Sequence, residues 1–190
     1  MITIEHLFVS PGHNFFGHYG KPAGEHPTLA VDQVECVAGR GIRGDRFFDH
    51  KEDYKGQITF LAMEVIDEVS RMLGVVDGDP GAFRRNVLTR GVELNDLIDR
   101  EFEIQGVRFR GAAECSPCFW MDTAFAPGTE EALKGRGGLR ARILSDGVLR
   151  IDARTNDSVD AGHASPAGDA GPAGDAGPAG DAGPGDDAGG

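Results

Sequence analysis

The sequence is short of several things, and each shortage narrows the reading. Cysteine is scarce and odd in number, three in 190 residues, which argues against a framework of paired disulfides. No apolar run approaches the length of a membrane span. The N-terminal stretch MITIEHLFVS has neither a basic region nor a long apolar core, so it does not read as a signal peptide. The expected compartment is therefore the cytosol, where thiols stay reduced and available for chemistry. Basic charge is also short, with 19 Lys and Arg against 31 Asp and Glu. From Thr155 to Gly190 the chain has no Lys or Arg and almost no apolar side chain larger than Ala. Its seven aspartates account for much of the net charge of −12. Without them 24 acids face 19 bases, a charge of −5, which suits neither a nucleic-acid backbone nor a membrane surface.

What remains divides into two parts. Residues 1–154 are long enough for one well-buried core. Residues 155–190 carry the repeat Pro-Ala-Gly-Asp-Ala-Gly and read as a disordered acidic tail; proline is too sparse and the run too short for a collagen helix. In the first part β-branched and apolar residues mark strands at 2–9, 28–31, 33–37 and 56–61. Val65, Ile66, Val69, Met72 and Leu73 recur at helical spacing between Ala62 and Leu73, and Gly74 follows as a C-cap. Short helical turns are expected at 80–85, 93–98 and 128–134, with an extended stretch at 86–89. Gln105-Gly106 and Asp146-Gly147 each sit between strand-like runs and predict hairpins. The fold class expected is mainly β (α+β), a barrel or sandwich with a few helices.

Five segments could carry chemistry. Cys115-Ser-Pro-Cys118 offers a redox pair or two zinc ligands, but no second pair has ligand spacing and no thioredoxin-like context surrounds it. Its bland alternative is two small buried hydrophobes, since free cysteine is often buried. Gly39-Arg-Gly-Ile-Arg-Gly-Asp45-Arg46 combines glycines, whose amides approach a ligand closely, with Arg40, Arg43 and Arg46; it suits an oxyanion. Phe83-Arg84-Arg85-Asn86 places two arginines side by side, costly to bury without an anion. Gly135-Arg136-Gly-Gly-Leu-Arg140-Ala-Arg142 repeats the combination. Each of these arginine segments alone reads more readily as an ordinary turn or a set of salt bridges; together they make an anion site more credible. The loop holding His13, His18 and His26 could bind metal, shuttle protons or form a lid, and a plain surface loop is an equal reading.

In this order the segments resemble the MOSC domain, the family named after the C-terminal part of molybdenum cofactor sulfurases. The matching residues are Gly41-Ile-Arg-Gly-Asp-Arg46, Gly56-Gln-Ile-Thr59, Phe83-Arg-Arg-Asn-Val-Leu-Thr-Arg-Gly91, Leu94-Asn95, Cys115-Ser-Pro-Cys118 and Gly135 to Arg142. The likeness runs from about Ile2 to Ile151 and is greatest to small stand-alone bacterial members. It implies a MOSC-like β-barrel and the molybdenum cofactor (molybdopterin) as ligand. It makes Cys118 the molybdenum-ligating and catalytic residue, with Arg43, Asp45, Arg46, Arg84, Arg85, Asn86, Arg136 and Arg140 around the pterin phosphate. Relatives often carry histidine after the Gly-Asp-Arg element, where this chain has Phe47. The sulfurases add a pyridoxal-phosphate domain; nothing here supplies one, so pyridoxal phosphate is not expected.

Three functions follow. The chain is a molybdenum-cofactor protein, acting in reduction as an oxidoreductase or in cofactor handling. Alternatively it is a sulfur carrier with a persulfide on Cys118, an accessory sulfur transferase, or a binding domain for another phosphorylated ligand. A redox or sulfur-donor protein is the expected partner. A thiolate is a soft ligand and a good nucleophile, and positive charge beside it favours both roles.

Overall fold

A computed structural model of the protein describes residues 1–14 and 24–153. His18 and the expected acidic tail lie outside the described residues.

Among the described residues, ten strands form two sheets. Strands β1 (Thr3–Val9), β2 (Leu29–Val31), β5 (Ile58–Ala62), β6 (Val87–Arg90), β7 (Glu101–Ile104), β8 (Val107–Glu114) and β9 (Leu139–Ile143) make a seven-stranded sheet in the order β2-β1-β6-β5-β9-β8-β7. Strands β3 (Gln33–Val37), β4 (Gly41–Ile42) and β10 (Gly147–Arg150) make a smaller sheet in the order β10-β3-β4. Helix α1 (Met63–Leu73) carries the chain from β5 to β6, and these two strands are parallel neighbours, as a helical crossover allows. Two short helices, α2 (Trp120–Ala124) and α3 (Thr129–Ala132), separate β8 from β9, and 3-10 turns cover Pro80–Phe83 and Leu94–Leu97.

The larger sheet is buried on both faces. All five residues of β5 are buried, as the run Ile-Thr-Phe-Leu-Ala requires of a central strand. Ile58, Phe60, Val87, Leu139 and Ala141 face the smaller sheet and meet Val34, Cys36, Ile42 and Leu149. Phe8, Leu61 and Leu88 face the other way, against Met63, Ile66 and Val69 of α1, Phe83 and Met121. Helix α1 ends at Gly74 in the left-handed conformation, its N–H given to the carbonyl of Arg71. Met72, expected on the apolar face, is 60% exposed.

The expected barrel is not closed. The larger sheet keeps two edges, β2 and β7, and in place of a strand ladder the two sheets are bridged by side chains and by single backbone bonds, from Gly39 N to Ile143 O and from Asp152 N to Ile4 O. Gln105 donates from Nε2 to the carbonyl of Arg150 and accepts the Arg150 N–H, as a neighbouring strand would. Gln57 likewise accepts from Ile143 N and donates to the Gly39 carbonyl. The Gln105-Gly106 hairpin forms as expected, with φ of 51° and 80°, pairing Ile104 with Val107. The Asp146-Gly147 hairpin does not. Strand β9 pairs with β5 and β8, and β10 pairs with β3. Neither turn residue takes a positive φ. Asp146 instead accepts the Ala38 N–H, and the chain crosses there from one sheet to the other. Among the described residues no helix is long and apolar enough to cross a membrane.

Candidate functional site

On the helix-bearing face of the larger sheet, paired residues of β5 and β9 place Thr59 beside Arg140. Helix α1 covers the Leu61 end of this face, and the Thr59 end opens into a cavity of about 290 Å³. Its walls come from places far apart in the sequence. The loop after β4 gives Arg46 and Phe47; the turn before β6 gives Arg84 and Arg85; the loop after β8 gives Cys115, Ser116 and Cys118. Strand β9 gives Arg140, and His13, Tyr54 and Trp120 complete the rim.

The lower framework is a buried polar network. Asn86 accepts from both N and Oγ1 of Thr59 through Oδ1, and donates from Nδ2 to the Phe8 carbonyl and the Asp45 carboxylate. Asp45 also accepts the N–H groups of Ser10 and Phe47. These two residues thus hold strands and loops in place; Asp45 reaches the cavity through its charge, 3.7 Å from the Arg46 guanidinium.

The arginines divide by role. Arg85 is 8% exposed and spends its donors on backbone, giving Nε to Gly137 O, Nη1 to Phe83 O, and Nη2 to the carbonyls of Gly137 and Cys115. It fastens the cysteine loop to the start of β9. Arg46 lies over the Phe47 ring, its guanidinium 4.7 Å from the ring centre, and burial pulls its pKa down. Burial also lowers Arg84, to about 10, with Arg46 adding repulsion. Its φ of 55° is left-handed, a conformation that a side chain of this size rarely takes. Arg140 is raised: burial pulls it down, but the Cys115 thiol beside it, then Tyr54, outweigh that.

Two expected site arginines point elsewhere. Arg43 pairs with Glu35 at 2.7 Å on the outer surface. Arg40, on the same loop, pairs with Asp49, and both guanidiniums flank Phe48. Arg136 pairs with Glu68 at 2.7 Å and lines a separate cavity with Glu64 and Glu93. Gly135 takes a φ of 76° with open space around it, whereas the two glycines after Arg136 serve packing. Gly138, at φ 106°, lies so close to the Phe60 carbonyl that no Cβ fits, and Gly137 lies against Cys115 and Pro117.

The two thiols differ. Cys118 is exposed and Cys115 is 6% exposed, yet both line the cavity. No local pattern marks Tyr54 or Trp120 in the sequence, and His13 stands there only as one histidine in a loop. They reach the site through chain folding that no local pattern encodes. His26 takes no part: its ring packs on Gly12. Among the described residues no group of three His, Cys, Asp or Glu side chains is arranged to hold a metal ion.

Fold and cavity together define an α+β domain that presents a thiol beside desolvated guanidiniums at one end of a largely buried sheet. The chain belongs to the MOSC domain family, whose model matches residues 43–159. That family is associated with molybdenum cofactor sulfurase-like function and linked to molybdenum cofactor enzymes. The fold is similar to that of the YuaD protein from Bacillus subtilis, at 18% identity and a TM-score of 0.60 over 79% of this chain and 92% of that one. It is also similar to YiiM from Geobacillus stearothermophilus, at 17% identity and a TM-score of 0.55 over 79% of this chain and 71% of that one. No curated protein matches the sequence.

Proposed function

We propose that the cavity binds the molybdenum cofactor, with Cys118 as the thiolate ligand to the metal and Arg46, Arg84 and Arg140 around the phosphate. The observation that carries this reading is the shared opening: an exposed thiol and three partly buried guanidiniums line one cavity. The donor set fits the group. A thiolate is a soft ligand suited to a heavy transition metal, and guanidinium forks match phosphate oxygens. One protein thiol leaves the remaining metal ligands to the cofactor itself. When bound, the cofactor supplies redox chemistry at the metal. The chain's own part is to hold the phosphate, orient the cysteine loop through Arg85, and line the opening with Phe47, Tyr54 and Trp120. Reduction of a small substrate and cofactor handling both use this arrangement.

The test is the metal and pterin content of protein purified from a molybdenum-replete host. Wild type should carry both; Cys118→Ser should lose molybdenum with its melting temperature unchanged. Wild type without either, or Cys118→Ser that keeps its metal, overturns the reading. A second reading is favoured by Cys115, whose thiol lines the same cavity against Arg140. Here Cys118 carries a persulfide for a partner, and intact mass would show one added sulfur atom that a reductant removes.

A further inference from the structure

We propose that His13 takes up a proton when an oxyanion settles against Arg46 and Arg84, so that ligand and proton enter the cavity together. This rests on the anion-site reading above and adds a residue and a proton to it. His13 lines the cavity with both arginines and Cys118. Its ring stands edge-on to Phe47, with centroids 5.1 Å apart, while the Arg46 guanidinium lies 4.7 Å from the centre of that same ring. His50 is 6.5 Å from His13 and 4.9 Å from Tyr54, which itself lines the cavity.

The groups that face His13 are mostly positive. Among the described residues, the loop after β4 brings Arg46, His50 and the carboxylate of Asp45, and the turn before β6 brings Arg84. Burial first, then Arg46, His50 and Arg84, hold the imidazole below its ordinary value of 6.5, and Asp45 opposes them only in part. His13 therefore holds its proton less readily than an ordinary imidazole. An oxyanion between Arg46 and Arg84 cancels the charge that keeps the proton off and offers it an acceptor. Histidine is the one residue type lining this cavity whose unperturbed titration falls between about pH 5 and 8. Coupling is reciprocal: if the anion raises the histidine by about one unit, the protonated protein binds the anion about tenfold more tightly.

Sulfate is the probe, because it does not titrate in this range, and the full-length protein is used. Its affinity should rise several-fold, and by no more than about tenfold, as the pH falls from about 8 to 5.5, and the His13 ring resonance should titrate about one unit higher with sulfate present. His13→Gln should flatten that dependence, and His50→Gln should retain it. Sulfate binding without pH dependence, or a dependence that survives His13→Gln, or no movement of the wild-type His13 resonance, overturns the role of His13 and leaves the anion site standing. Absence of sulfate binding that Arg84→Gln weakens overturns the anion site itself, and the proposal with it.

Discussion

Three cysteines occupy three environments, and the difference decides what each can do. Cys36 is fully buried between the sheets, where desolvation pushes its thiol up to about 12 from 9.0. Cys115 is nearly buried, its carbonyl held by Arg85. Cys118 is exposed at the cavity mouth. Native protein treated with iodoacetamide should therefore be modified first at Cys118, and at Cys36 only after unfolding; peptide mass mapping gives the order. Early labelling of Cys36 would contradict the packing described for β3. The neutral Cys36 thiol stabilises the fold fully below pH 9.0, and that contribution fades as pH rises toward about 12. The arginines show the same dependence on place. Arg43 and Arg46 lie three residues apart in one glycine-rich loop, yet one pairs with Glu35 outside and the other sits over Phe47 inside.

Between elements, contact rather than local pattern sets the site. Gly137 lies in the glycine run before β9, and a Cβ there would stand 2.5 Å from the Cys115 carbonyl and 2.9 Å from Pro117 Cδ. Its φ is not left-handed, so alanine is acceptable to the backbone and only the contact is tested. Gly137→Ala should cost about 1–3 kcal/mol as the cysteine loop shifts. It should also change the rate at which Cys118 is alkylated, with the circular dichroism spectrum retained; an unaltered rate would show that this contact does not position the loop. The two dipeptide turns make the complementary point. Gln105-Gly106 closes a hairpin because strands on either side can pair, whereas Asp146-Gly147, with an equally strong local signal, joins strands that have better partners in different sheets.

At the scale of the molecule, both cores close within residues 1–153: one between the sheets, the other beneath α1. Truncation from Thr155 onward should thus leave the melting temperature unchanged, and a large drop would reveal a structural role for the acidic repeat. The sequence by itself determined the mainly β class, the helix at Met63–Leu73, the Gln105 hairpin and the segments to inspect for an anion site. These are legible because apolar period, glycine caps and turn residues act within a few positions of chain. Only the tertiary structure decided which guanidiniums share a cavity with Cys118, that Arg85, Asp45 and Asn86 hold backbone in place, and that His13 joins them. It also decided that the sheets stay open, bridged by Gln57 and Gln105. The physical reason is the same in each case. Where a long polar side chain points depends on the partner that satisfies it, and for Arg85, Asn86, Gln57 and Gln105 partners lie tens of residues away.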